Sequence, residues 1–243
     1  MTYQLEICAN SIQSALAAQA GGAHRIELCQ NLEQGGITPS YGLIKQVRAQ
    51  LAIQVFGLIR PRPGNFVYDA NELAIMRADI EACKALGCDG VVLGVLTPTG
   101  QVDVAASRAL VQLAHPLPVT FHRAFDATID LAQALEAVVA TGSQRLLTSG
   151  GQASAPAGQD QLAALVQQAA GRLRIMPGAG ITAANLRALA THTGAREFHA
   201  TAKQRLVPPP TPGNALFEVE HWQTNATEVA ALREQLASLP ATF

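Results

Sequence analysis

The sequence predicts one α/β domain over residues 1–243, built as a (β/α)8 TIM barrel. Short β-branched runs alternate with Ala- and Leu-rich stretches almost to the end of the chain, the pattern of repeated βα units around a parallel sheet. Eight such runs fit within 243 residues, the size of a closed barrel. No GxGxxG follows the first run, so an open doubly wound sheet ranks second.

The first strand is read at Gln4 to Cys8, where Leu5 and Ile7 alternate with Glu6 and Cys8. Successive strand side chains point to opposite faces, so the apolar pair turns one way and the carboxylate and thiol the other. A near copy of this pattern, Ile26-Glu27-Leu28-Cys29, lies in the second strand, Arg25 to Leu28, and runs just past its end. The remaining strands are expected at Ile53 to Ile59, Gly90 to Leu96, Val119 to His122, Arg145 to Thr148, Leu173 to Met176 and Glu197 to His199. Between them the helices are read at Ser11 to Ala20, Ser40 to Ala49, Asn71 to Leu86, Val104 to Leu113, Leu131 to Ala140, Gln159 to Ala170 and Ala183 to Leu189. Asn10, Ser40 and Thr182 stand where N-caps belong. Lys203 to Gly213 carries Pro208, Pro209, Pro210 and Pro212, which neither a regular helix nor a central strand accepts. Residues 203–224 are therefore expected as an irregular arm or loop before a closing helix, Ala226 to Leu236.

Hydrophobic residues make up 49% of the chain and charged residues 14%, which gives a well-filled core and a lightly charged surface. Such a surface predicts a homodimer or higher oligomer. A net charge of -1 provides no basic stripe for nucleic acid. No apolar run approaches the roughly 20 residues of a membrane span and no leader pattern opens the chain, so a cytoplasmic location is expected. Cys8, Cys29, Cys83 and Cys88 are then reduced thiols, and the lack of a CxxC pair removes the common zinc and thioredoxin-type motifs.

Barrel proteins carry their chemistry at the C-terminal ends of the strands. Those ends offer Glu6 and Cys8, Glu27 and Cys29, Arg60 with Arg62, His122 with Arg123 and Asp126, Thr148 with Ser149, the turn at Gly178 and Gly180, and His199. Glu6, Glu27, His122 and Asp126 are the candidates for proton transfer. Arg60, Arg62 and Arg123 suit an oxyanion because guanidinium groups fork onto it, and Thr148, Ser149, Gly178, Gly180 and His199 complete that candidate ligand surface. Salt bridges of Glu6 or Glu27 with Arg60 or Arg123 are the structural alternative. Cys8 and Cys29, on adjacent strands, form a candidate site for a soft ion such as Cu(I), against the plainer role of small buried hydrophobes. Cys83 and Cys88 read as packing residues, and His24, His115, His192 and His221 as surface.

Taken together, LEIC at 5–8, IELC at 26–29, GGITPS at 35–40, IRPRPGNFVY at 59–68, TFHRAFD at 120–126, LLTSGG at 146–151 and MPGAGIT at 176–182 resemble the CutC family of copper homeostasis proteins, from about Gln4 to Lys203. The resemblance implies a (β/α)8 barrel, a cytoplasmic homo-oligomer and a part in copper handling, and it implies no defined reaction. The chain departs from the family pattern at His24, at Pro63 and Asn65, which remove a carboxylate from the third loop, and at Ala200 and Thr201. Two functions follow as expectations: copper homeostasis with Cu(I) on Cys8 and Cys29, or an enzyme acting on a small phosphorylated or carboxylated substrate. The first depends on the thiols and the second on the arginines.

Overall fold

The computed structural model describes residues 3–206 and 221–240. Eight parallel strands alternate with helices: β1 (Gln4–Ala9), α1 (Ile12–Ala20), β2 (Arg25–Leu28), α2 (Tyr41–Gln50), β3 (Gln54–Leu58), α3 (Ala70–Ala85), β4 (Gly90–Leu93), α4 (Val104–Ala114), β5 (Val119–Phe121), α5 (Leu131–Thr141), β6 (Arg145–Thr148), α6 (Gln159–Ala169), β7 (Arg174–Pro177), α7 (Ala183–Thr193) and β8 (Glu197–Ala200). The ladders run from β7 down to β1 and on to β8, and β7 lies beside β8 to complete the ring. This is the expected (β/α)8 barrel.

Alternation divides each strand between two environments. Leu5, Ile7, Ile26, Leu28, Phe121 and Phe198 are fully buried in the layer between strands and helices. Their neighbours in sequence turn into the barrel. The helices start on residues whose side chains accept the orphan N–H groups of the first turn. Ser40 accepts from the Leu43 amide and Asp69 forms a capping box with Glu72. At α1 the cap is Ser11, one residue beyond the expected Asn10. Asn10 is taken by the last part of the chain, donating to the Trp222 carbonyl at 3.1 Å.

The ends of the expected irregular arm are ordered. β9 (Lys203–Leu206) and β10 (His221–Thr224) pair antiparallel before α8 (Ala226–Ala237). The four prolines at 208–212 lie outside the described residues. Alternating charge and polarity in Lys203-Gln204-Arg205-Leu206 and His221-Trp222-Gln223-Thr224 suit a two-stranded ribbon over the surface, and proline content drew attention from those flanks. His24 also departs from a surface role: it is half-buried and its Nδ1 accepts the Leu5 amide at 2.9 Å.

Candidate functional site in the barrel mouth

The twin strands meet in a staggered register. Glu6 stands beside Arg25 and Cys8 beside Glu27, while on the other edge Glu6 stands beside His199. The stagger is the shear that closing a barrel requires. It places Glu6 between Arg25 and His199, leaves Glu27 beside Cys8, and sets the two thiols on a diagonal.

An ion ladder results inside the barrel. Arg25 donates through Nε to Glu6 and through Nη2 to Glu197 at 3.0 Å, and Arg145 donates through Nε to Glu197 and through Nη1 to Thr120 at 3.1 Å. The Arg25 and Arg145 guanidinium groups also lie 4.9 and 5.4 Å from the centre of the Phe56 ring, a favourable cation–π placement. Glu6 is completely buried. Burial pulls its pKa up, but Arg25, then His199 and Arg145, outweigh that and hold it well below the usual carboxylate range. Arg25 takes the place of the partner expected for Glu6, and among the described residues Glu27 forms no ion pair with an arginine, because Arg60 and Arg123 bond elsewhere. Arg25, Arg145 and Glu197 open their strands at the N-terminal end of the barrel, opposite the C-terminal ends where barrel chemistry is expected. The alternation that singled out Glu27 applies equally to Arg25-Ile26-Glu27 and would have found them.

Above the ladder, His199 donates from Nδ1 to Glu6 Oε1 at 2.7 Å, leaving Nε2 toward Glu27 at 3.8 Å. Cys8 Sγ lies 3.5 Å from Cys29 Sγ. Ligand atoms of Cys8, Glu27 and His199 all fall within 4.8 Å of one another. Burial favours the neutral imidazole, yet hydrogen bonding to Cys8 and Glu6 and the charge of Glu27 raise the His199 pKa well above its ordinary value. Burial and the nearby Glu6 charge raise that of Glu27, against the pull of His199. The Cys29 contact and burial push the Cys8 thiol up. Cys8, Glu27 and His199 form the floor of a cavity of about 680 Å³ at the C-terminal end of the barrel, within the range of small-molecule sites, while Cys29 touches Cys8 without lining it.

One wall of this cavity carries Arg60, Phe66 and His122. Arg60 is 6% exposed. Its Nη1 donates to the carbonyls of Gln34 and Gly36 at 3.1 and 2.7 Å, and its Nη2 to that of Gly64 at 2.9 Å. His122 accepts the Ala124 amide at Nδ1, 3.2 Å, which puts its remaining proton on Nε2. Burial, aided by the Arg60 charge, lowers its pKa to about 3, so the ring is neutral. Gly94 makes room for it: a Cβ there would stand 2.6 Å from His122 Nδ1.

Other sequence candidates serve the loops. Asp126 accepts from Thr148 Oγ1, from the amides of Ser149 and Gly151 at 3.1 Å each, and from Arg123 Nε at 2.7 Å. It ties the 3-10 turn at Arg123–Ala127 to the turn after β6. Thr148 points away from the mouth because Arg145 and Leu147 on the same strand point in, and Ser149 donates to Asp126 and the Gln152 carbonyl. Arg123 borders the cavity but is bound to Asp126 and Ser149. Arg62 turns outward to Glu72, Asn65 and the Val67 carbonyl, and Asn65 caps this turn where a carboxylate was missing from the pattern. Gly180 reaches the cavity. Gly178 lies beneath it, where a Cβ would stand 2.5 Å from Leu147 Cδ1.

Fold and site together define a (β/α)8 barrel with a thiol, carboxylate and imidazole centre at the C-terminal end of its strands. The CutC family model matches residues 3–204. A family protein CutC of Xanthomonas axonopodis pv. citri (strain 306) is 56% identical over 211 residues, covering 86% of this chain and 88% of the relative. A human protein described as copper homeostasis protein cutC homolog is 45% identical over 201 residues, 83% of this chain and 74% of the relative. The crystal structure of CutC from Streptococcus agalactiae aligns with a TM-score of 0.79 at 37% identity, over 82% of this chain and 99% of that one. This chain belongs to the CutC family. Phosphoribosyl anthranilate isomerase from Thermotoga maritima, 12% identical with a TM-score of 0.61 over 98% of this chain and 100% of that one, shares the fold.

Proposed function

We propose that this protein handles copper in the cytoplasm, taking Cu(I) at the Cys8 and Cys29 thiols with His199 and Glu27 as neighbouring donors. The observation that carries the reading is the 3.5 Å separation of the two sulfurs, with Cys8 at the cavity floor and Cys29 in contact with it. Metal–thiolate bonds of about 2.3 Å let one ion touch sulfurs up to about 4.6 Å apart, so the pair fits a single ion without rearrangement. Soft thiolate ligands select Cu(I) over harder ions. Glu6, bonded to His199 Nδ1, holds the imidazole with Nε2 toward the thiols, the support that metal-binding histidines commonly receive. The raised pKa values of Cys8 and His199 mean that copper displaces protons, so affinity rises with pH.

All four cysteines are unbridged and buried, in keeping with a reducing compartment, and no helix among the described residues is long and apolar enough to cross a membrane. The lightly charged surface supports a homodimer or higher assembly, for which light scattering behind size exclusion is the check. Copper binding is tested by titrating reduced protein with Cu(I) against a competing chelator. One ion per chain is expected, lost in Cys8→Ser with Cys29→Ser; unchanged uptake by the double variant removes the site.

A further inference from the structure

Among the described residues, four buried side-chain polar atoms have no hydrogen-bond partner, and three of them are Arg60 Nε, Tyr68 Oη and His122 Nε2. A buried donor left without a partner is costly, so three around one loop call for a function. Arg60 and His122 are held together by a shared ring, and Tyr68 stands next to Arg60. The Phe66 ring sits 5.0 Å from the Arg60 guanidinium carbon and 5.0 Å from the His122 ring, and the charges of both Arg60 and Arg62 act on the Tyr68 hydroxyl. All three orphans can donate. The backbone contact at Nδ1 fixes His122 Nε2 as N–H, and Arg60 Nε is an N–H in a cation that never deprotonates.

Arg60 is also a buried charge facing no carboxylate within ion-pair distance among the described residues. Its contacts are to carbonyl oxygens, which orient the guanidinium without neutralising it. A buried cation of this kind is costly unless an anion completes it. The cavity bordered by Arg60 and His122 continues across Leu58 and Leu147 to Glu27 and His199.

We propose that Arg60 and His122 on the cavity wall, with Tyr68 next to Arg60, form a binding site for the oxyanion of a small carboxylated or phosphorylated molecule, whose body reaches across the cavity to the Cys8–Glu27–His199 floor. The half-buried Phe66 ring covers the donors and turns aside when the oxyanion enters. Arg60 supplies the charge, His122 Nε2–H and Tyr68 Oη–H supply direction, and Leu58 and Leu147 accept an apolar body. The oxyanion itself engages none of the proposed metal donors, so its binding can be read separately from that of copper.

The test is a titration of the full-length protein with inorganic phosphate and, separately, malonate, followed by the arginine Nε–H resonances and by thermal melting. Saturable movement of the Arg60 Nε–H signal with a rise in Tm is expected, and the tighter of the two probes identifies the headgroup chemistry. Two variants keep the fold in place. Tyr68→Phe removes only the hydroxyl, and His122→Asn retains an acceptor for the Ala124 amide while deleting the Nε2 donor. Each is expected to weaken binding by about tenfold, as loss of a hydrogen bond to a charged group does, with Cu(I) uptake unchanged. A silent Arg60 signal with both probes overturns the proposal, as does binding that neither variant alters. Copper titration of the same samples separates failure here from failure of the copper reading.

Discussion

Glu6 shows how one side chain can serve stability and the site together. It is fully buried, bonded on one side to Arg25 and on the other to His199. Glu6→Gln leaves both partners short of a counter-charge. Breaking a buried pair in this way costs about 3–5 kcal/mol, readable as a lower denaturation midpoint in urea, and loss of support behind His199 should weaken metal affinity by about 10–100-fold. His122 makes a second residue-scale prediction. Its folded pKa of about 3 lies below the ordinary 6.5, so between those values the unfolded chain binds the extra proton and stability falls as pH falls. The slope approaches about 1.4 kcal/mol per pH unit. Subtracting the stability–pH curve of His122→Asn from that of the unmutated protein should isolate this fall; parallel curves would contradict it. The inward turn of Glu6, Cys8, Glu27, His122 and His199 could be read from alternation alone. Their partners could not, because Arg25 rather than Arg60 meets Glu6 only once strand register is known.

At the level of elements, the barrel is specified by repetition and its interior by stagger. The eight strands were legible because β-branched runs with polar residues at every second position leave few other readings. The stagger was not, since the shear between β1 and β2 comes from closing the whole ring. It turns two like motifs into complementary ones, Glu6 against Arg25 and Cys8 against Glu27. Small residues on β4 complete the fit. A Cβ at Gly90 would lie 2.4 Å from the Phe56 ring, which is itself flanked by the Arg25 and Arg145 guanidinium groups. Gly90→Ala therefore overpacks the centre of the barrel and should cost about 1–3 kcal/mol, seen as a lower thermal midpoint; an unchanged midpoint would show that the ring has room to move. The ribbon of β9 and β10 was masked by the prolines between its strands.

Across the whole molecule, polarity runs along the barrel axis. The lower end is filled by Arg25, Arg145 and Glu197, a network whose two cations are balanced once Glu6 is counted with Glu197. The upper end keeps groups with capacity to spare: two thiols in contact, a carboxylate and an imidazole with raised pKa values, and a cationic wall with orphaned donors. That asymmetry matches the rule that barrel proteins keep stability at one end and chemistry at the other. It also explains why the loop residues Asp126, Arg62 and Ser149 looked functional in sequence. They are polar residues at the right end of the right strands, spent on holding the loops that frame the cavity. The central claim is that the cavity floor is a thiol site for copper. Copper K-edge X-ray absorption on the Cu(I)-loaded protein tests it most directly. Sulfur scatterers in the first shell, lost when Cys8 and Cys29 are both serine, are the predicted result; a first shell of nitrogen and oxygen alone, or the same spectrum from the double variant, would contradict it.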